Sequence, residues 1–360
     1  MAELVWKGKH PTDQHQETSI SACQSPQKHY QYITDYLYMP SDTSNSSSSF
    51  PASLDNSWYN RLIYGDNYLI LPALAHEFSG KIDLIYIDPP FMTGRTFNKG
   101  SQIAYHDVWH NDLDIYLSWL YDILRLLYIL LANDGSLYIH LDWRVAHYVK
   151  IMLDEIFCSP TMKHGASFKN EIIWHYQSGG RAVRSYARKH DTLFLYTKSE
   201  QYCFHPERVG QRRGSQKRNH MRKETTPEGQ IRWTIRTAGR VYSYDENSVM
   251  SLADVWTDIS HLHQKDPERK GYATQKPSAL LERILLASSE RDDLVLDCFC
   301  GSGVTPAVAE KLERRWIACD KSELAISVTC DRLLAQPRNS PFISQRVADE
   351  RGIEYTRPIS

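Results

Sequence analysis

A chain of 360 residues, 41% of them hydrophobic and 24% charged, can build one large domain with an insertion or two smaller ones around a sizeable core, which excludes a small stapled scaffold and a disordered chain. Its opening from Met1 to Lys7 is too short and charged for a secretory signal, and the most apolar stretch, Leu113 to Ala132, is broken by Asp114, Asp122 and Arg125, so no membrane span is expected. The formal net charge of −1 hides a basic block: residues 181–240 carry 15 Lys and Arg against 5 Asp and Glu, which leaves the remainder acidic. A solvated basic face is the bland reading of such a block, and a phosphate-backbone partner is the functional one. Seven cysteines, mostly inside apolar runs, fit a reducing compartment, most simply the cytoplasm. One Cys298-x-Cys300 pair without a second Cys or His pair nearby lacks zinc spacing, so no metal is expected.

In chain order, residues 1–55 form an arm with little periodicity, containing the Ser-rich linker Ser41 to Ser49; Tyr30 to Tyr38 is aromatic enough to pack on a domain. Arg61 to Asp66 reads as a short strand and Asn67 to Phe78 as a helix, with Asp66 either a helix N-cap or a ligand contact. Ile82 to Ile87 is an apolar run of the kind buried on both faces of a parallel sheet, and Asp88-Pro89-Pro90-Phe91 stops it. A polar stretch from Met92 to Asn111 is long enough to be a mobile substrate loop. Asp112 to Ala132 is a helix, Ser136 to Leu141 a strand, and Asp142 a cap for the helix Trp143 to Phe157. Strands follow at Asn170 to Tyr176 and Asp191 to Tyr196, and hydrophobic periodicity then fades over the basic block. Pro277 opens a helix with Leu280, Leu281, Ile284 and Leu285 on one face. Leu294 to Cys298 is a strand entering Gly301-Ser302-Gly303, a helix follows from Val304 to Leu312, and a strand Trp316 to Asp320 and a helix Glu323 to Leu334 come last. The expected divisions are 1–55 (arm), 56–199 (catalytic half), 200–250 (insertion), 251–335 (cofactor half) and 336–360 (tail).

Two strand ends carry chemistry. Two prolines after Asp88 fix two φ angles and remove two N–H donors, which frees the Asp88 and Pro89 carbonyls from the ladder. Phe91 adds an aromatic plate, so the set offers acceptors and a stacking surface to a base drawn out of a nucleic-acid stack. A plain turn ending a strand is the alternative for these residues alone. At the second end, strand, Gly-x-Gly turn, helix and a strand closed by Asp320 make a dinucleotide-type half-fold in which the acid takes ribose hydroxyls. A nicotinamide enzyme is the competing reading, although Pro306-Ala307 stand where a third glycine belongs.

Taken together, Gly65-Asp66, Asp88 to Phe91, Asn170 to Tyr176, Tyr272-Ala273-Thr274-Gln275-Lys276-Pro277, Asp297 to Gly303 and Asp320 resemble, in that order, the β-type, circularly permuted DNA amino-methyltransferases that methylate adenine N6 or cytosine N4. The likeness runs from about Trp58 to Leu334. It implies an α/β fold: a doubly wound, mostly parallel Rossmann-like methyltransferase sheet with an inserted target-recognition region, its ligands meeting between strands 294–298 and 82–87. The implied cofactor is S-adenosyl-L-methionine, held by Asp66, Thr274, Gln275, Lys276, Asp297, Phe299, Gly301, Gly303 and Asp320. Asp88, Pro89, Pro90 and Phe91 are the implied catalytic residues; Phe91 replaces the family's commoner Tyr and keeps the plate. Asp at the first position and the Met92-Thr93-Gly94 continuation lean toward adenine, with cytosine N4, an RNA or protein methyltransferase, and a non-catalytic DNA-binding module as the other readings. Double-stranded DNA is the implied partner, with a separate restriction endonuclease or a second copy of the chain as further candidates. Within the basic block Arg181, Arg184, Arg188, Arg212, Arg213, Lys217, Arg218, Arg222 and Lys223 are the expected DNA contacts, in a protein that works at the nucleoid.

Overall fold

The structure, a computed structural model, describes residues 4–9, 31–38, 58–99, 102–109, 112–157, 167–177, 182–213, 220–227, 229–337 and 340–348; the Ser-rich linker lies outside them. Its elements in chain order are β1 (Gln31–Tyr38), β2 (Asn60–Tyr64), α1 (Asn67–Phe78), β3 (Ile82–Ile87), β4 (Arg95–Lys99), β5 (Gln102–Asp107), α2 (Leu113–Leu130), β6 (Leu131–Leu141), α3 (Ala146–Ile156), β7 (Phe168–His175) and β8 (His190–Thr197). The short α4 (Pro206–Val209), β9 (Gln211–Arg212), β10 (Arg222–Thr225), β11 (Ile231–Thr237), β12 (Arg240–Asp245) and β13 (Val249–Met250) come next. β14 (Val255–Trp256), α5 (Ser278–Ser288), β15 (Leu294–Asp297), α6 (Val304–Lys311), β16 (Arg315–Asp320), α7 (Glu323–Leu334) and β17 (Phe342–Ala348) complete the described chain.

Ten strands form one sheet in the order β1-β17-β2-β16-β15-β3-β6-β8-β7-β14. The six from β17 to β6 are mutually parallel, because each connection between them runs through a helix that must cross a face of the sheet. Burial follows: all four residues of β15 are buried, as are five of the six in β3, which is why both read as unbroken apolar runs. β15 and β3 are neighbours from opposite halves of the chain, β15 leading outward to β16 and β3 outward to β6. Their junction is therefore the switch point, where helices leave in opposite directions and a crevice opens beyond the carboxyl ends. The fold is the doubly wound, mostly parallel class. Among the described residues no helix is long and apolar enough to cross a membrane.

Several local expectations are corrected. Within the stretch from Met92 to Asn111, Arg95–Lys99 and Gln102–Asp107 pair as the antiparallel strands β4 and β5 rather than forming a loop, with register from Arg95↔Asp107 to Lys99↔Gln102. The arm and the tail each hold a strand, and these pair antiparallel from Gln31↔Ala348 to Tyr38↔Phe342, tied by Arg346 to Asp35 at 2.7 Å. Neither strand alternates cleanly, because β1 lies at an edge and draws its stability from backbone pairing with residues some 300 positions away. Asp142 does not cap α3: its carboxylate accepts from the Arg144 backbone N–H at 2.8 Å and pairs with the Arg144 guanidinium, while its carbonyl starts the turn into the helix.

Residues 204–254 form a second compact unit, offset by four positions at each end from the insertion read from the sequence. Its centre is the antiparallel sheet β10-β11-β12 with Trp233 at 2% exposure, and β9 pairs with β13 beside it. Every residue of β10 is exposed, so little of this unit looks apolar from sequence.

Candidate active site

The crevice at the switch point is a cavity of about 1040 Å³, counting the space open to solvent at its mouth. Asp88, Pro89, Pro90 and Phe91 line one side; Asp297, Phe299, Gly301 and Asp320 line another; Asp66, Thr274 and Lys276 join them. Topology explains the meeting, since β2, β3, β15 and β16 run parallel and deliver their carboxyl ends to the same edge.

At the β3 end, Lys276 Nζ donates to Asp88 Oδ2 at 2.5 Å, while Asp88 Oδ1 is buried with no partner among the described residues. The Pro90 carbonyl is taken by the Tyr116 hydroxyl at 2.8 Å, which pins the turn to α2. Phe91 lies near-parallel to the His140 ring, centroids 6.1 Å apart at 25°, with Lys276 Nζ 5.2 Å from its own centroid. Beneath it runs a buried polar chain. His140 Nε2 is 3.0 Å from Asp191 Oδ2, His140 Nδ1 is 3.0 Å from the Tyr86 hydroxyl, and the Tyr176 hydroxyl donates to Asp191 Oδ1 at 2.9 Å. Burial opposes ionisation of Asp191, yet the hydrogen bond and charge of His140, then Lys276 and Tyr176, hold its carboxyl below the usual carboxylate range. Both ring nitrogens of His140 are therefore engaged, Nε2 by the Asp191 carboxylate and Nδ1 by the Tyr86 hydroxyl. Every polar atom in this fully buried histidine is thereby satisfied, and the plate above it has a fixed floor.

At the β15 end, Asp297 is 3% exposed; Oδ1 accepts from the Phe299 N–H at 2.9 Å and Oδ2 from the Thr305 hydroxyl at 2.5 Å. Burial, with the nearby charges of Asp88 and Asp320, pushes its carboxyl up to about 7 against those two hydrogen bonds. Gly301 has φ +50, and a Cβ there would come within 3.1 Å of Tyr272; the residue type follows from both. Its N–H donates to Asp320 Oδ2 at 2.9 Å, which joins the glycine turn to the end of β16. Asp66 accepts from the Tyr68 N–H at 2.8 Å as the α1 N-cap and also lines the cavity.

Three expected site residues sit elsewhere. Gln275 is 4% exposed and spans a loop, donating to the Glu268 carbonyl and accepting from the Lys270 N–H, both at 2.8 Å. Gly303, at φ +72, precedes α6 and faces α7, where a Cβ would fall 2.6 Å from Thr329; its constraint is packing. Arg213 is not a surface contact: it is 4% exposed with its guanidinium 4.5 Å over the Trp233 ring. Arg184 is exposed, and Arg188 lies 3.6 Å over Trp143; both belong to the larger unit, whereas Arg212, Arg222 and Lys223 are exposed in the smaller one. Arg181, Lys217 and Arg218 lie outside the described residues. Sequence reasoning passed over Asn67, which donates to the Cys298 carbonyl at 2.8 Å and keeps a buried Oδ1 without a described partner, and the aromatic wall of Tyr105, Trp109 and Trp119. Aromatic residues at 105 and 109 in an otherwise polar stretch were the signal for that wall.

Acidic strand ends and a glycine turn facing an Asp-Pro-Pro-Phe end across one cavity define an α/β enzyme with adjoining sites for a nucleoside-type ligand and a flat substrate. Residues 82–330 match the N6/N4 family model described as DNA methylase. The chain is 30% identical over 341 residues to the type II methyltransferase M.EcaI of Enterobacter cloacae, covering 83% of this chain and 73% of the relative. It is 27% identical over 276 residues to the DNA adenine methyltransferase YhdJ of Escherichia coli strain K12, covering 76% and 82%. The solved M1.HpyAVI–SAM complex aligns at TM-score 0.49 and 18% identity over 76% of this chain and 98% of that one. The chain belongs to the N6/N4 DNA methylase family and is a DNA amino-methyltransferase.

Proposed function

We propose that this protein methylates adenine N6 within a specific sequence of duplex DNA, using S-adenosyl-L-methionine, with the target base turned out of the helix and stacked on Phe91. The observation that carries this reading is Asp88, one carboxylate oxygen held by Lys276 and the other buried without a described partner beside an aromatic plate. The cofactor fits the residues present: Asn67 Oδ1 is a second buried acceptor lacking a described partner, and the Gly301 turn lets backbone approach a ligand that has no phosphate to bind. Asp66, Thr274, Asp297, Phe299, Gly301 and Asp320, all lining the cavity, would hold it, and we assign the ribose hydroxyls to Asp320. When bound, S-adenosylmethionine supplies a methyl group made electrophilic by a sulfonium.

The chain's own residues then act on the amino group. Asp88 Oδ1 and the Pro89 carbonyl accept its two hydrogens, which draws the nitrogen lone pair out of ring conjugation and toward the methyl carbon. Phe91 holds the ring plane while His140 backs the plate. Proton loss follows bond formation, so no strong general base is demanded. We read the order of the site, Asp88 to Phe91 ahead of the glycine turn with the 204–254 unit between them, as the β-type permutation, and assign target recognition to that unit. Exposed Arg184, Arg212, Arg222 and Lys223 are the phosphate contacts we infer from charge and exposure, with Arg181, Lys217 and Arg218 from charge alone. If two of these truly touch phosphate, neutralising both lowers the slope of log affinity against log salt by about 2, equally for cognate and unrelated duplexes. An unchanged slope in binding isotherms across a salt series would move the DNA to another face.

Sequencing of modified bases in DNA from cells expressing the protein tests the function directly. N6-methyladenine at one recurring sequence is the expected result. N4-methylcytosine would replace the target base, and absence of both in cells holding folded, cofactor-binding protein would remove the assignment to DNA.

A further inference from the structure

Asp107 closes β5 at 0% exposure, and nothing in its sequence context singles it out. Its carboxylate accepts four hydrogen bonds: Oδ1 from the Met92 N–H at 2.9 Å and the Trp109 indole N–H at 3.0 Å, Oδ2 from the Thr93 N–H at 2.7 Å and the Thr93 hydroxyl at 2.6 Å. Its carbonyl accepts from the Gly94 N–H at 2.9 Å. Three consecutive residues after Phe91 are thus fastened to one buried side chain and its backbone.

Met92 adopts φ 59, a left-handed conformation that L side chains rarely occupy. A residue held there needs a surrounding that over-determines it, and the charge-assisted bonds from Met92 and Thr93 to Asp107 supply one. Trp109, its fourth donor, lines the cavity and packs on Trp119 at 4.9 Å between ring centroids, and Trp119 in turn meets Phe299 at 5.7 Å. A single fully buried carboxylate therefore holds both Trp109, which reaches Phe299 through Trp119, and the turn at positive φ that follows Phe91.

We propose that Asp107 is a positioning residue that couples the two ligand sites. A cofactor seated against Trp109 holds the indole and with it the Asp107 carboxylate, which fixes Met92 and Thr93 and so the plane of Phe91. Either ligand then bears part of the ordering that the other requires, and by linkage the effect is reciprocal. This inference rests on the methyltransferase reading of the site and adds a route by which cofactor binding prepares the base pocket.

The test uses S-adenosylhomocysteine as a non-reactive cofactor analogue and a duplex carrying the sequence at which methylation is mapped. Calorimetry of the analogue with and without saturating duplex gives the coupling factor. In the wild-type protein the duplex should tighten the analogue at least about fivefold. Asp107→Asn keeps Oδ1 as an acceptor and loses acceptance from Thr93. It should bring the factor close to one and lower single-turnover methylation at least tenfold, while each ligand alone binds within about threefold of wild type. Met92→Gly, which reaches φ 59 without strain, should restore part of the coupling in the Asp107→Asn background; a purely structural role in the hairpin would show no such rescue. Thr93→Val, which removes one bond only, keeps the proposal testable if Asp107→Asn fails to fold: it should reduce the factor partway. A wild-type factor of one, full coupling in both Asp107→Asn and Thr93→Val, or weakened analogue binding with coupling intact would overturn the proposal. Failure of the wild-type protein to bind S-adenosylhomocysteine at all would instead remove the methyltransferase reading beneath it.

Discussion

Asp88→Ala is expected to slow single-turnover methyl transfer by about 10²–10³-fold or more, the range seen when one preorganised transition-state hydrogen-bonding group is removed. Asp88 Oδ1 is the one carboxylate oxygen at the β3 end that no described group occupies, and its bond to the target amino group strengthens as positive charge develops on nitrogen. Binding that grows toward the transition state appears in kcat rather than in affinity, so the cofactor dissociation constant should stay within about threefold. Because alanine also strands the Lys276 ammonium, Asp88→Asn is the companion variant: it preserves volume and one acceptor, and should retain more activity and more thermal stability than alanine. Rapid-quench methylation and calorimetry on both proteins decide the matter. Full turnover in the alanine variant would sink the role assigned to Asp88.

Lys276→Met carries the second large effect. The Lys276–Asp88 pair is mostly buried, 11% and 17% exposed at the two side chains, and the ammonium also lies 5.2 Å from the Phe91 centroid. Losing one partner of a fully buried pair costs about 3–5 kcal/mol, and the residual exposure here puts the cost below that bound. What the reaction loses is orientation: Asp88 becomes free to turn Oδ1 away from the amino group. We expect kcat to fall about 10²-fold, with Lys276→Arg recovering part of the loss because it returns a cation to Asp88. The cofactor dissociation constant distinguishes this from the role implied by resemblance, in which Lys276 holds the cofactor. A rise of more than tenfold in that constant with kcat preserved would return Lys276 to cofactor binding, whereas a kcat loss with the constant steady places its action on Asp88.

The end of β3, the first and last helices and the glycine turn were legible in the sequence for a common reason. Each is decided within about ten residues: Pro89 and Pro90 end β3 covalently, Asp66 and Ser322 supply caps to α1 and α7 from the preceding position, and the Gly301 turn demands a positive φ. α1 and α7 accordingly span the residues their apolar spacing predicts, Asn67–Phe78 and Glu323–Leu334. Charge composition likewise located the basic stretch, but it could not say that Arg213 would be buried over Trp233, since residue type is silent about which face of a short strand becomes a core.

Tertiary structure alone decided the features that work through space. Lys276 meets Asp88 across 188 positions, His140 meets Asp191 across 51, and β1 meets β17 across more than 300. None of these partners leaves a local periodicity, because a hydrogen bond or ladder constrains two atoms and not the residues between them. Asp107 lies nearer, 15 positions from Met92, yet its place depends on the β4–β5 register, which a polar stretch leaves unspecified until Tyr105 stacks on Phe97 and packs against the cluster that holds Tyr272. The sequence by itself determined which residues end the strands at this site. Only the folded sheet, by bringing parallel carboxyl ends to one crevice, decided which of those residues hold one another and which are left with an atom to offer a ligand.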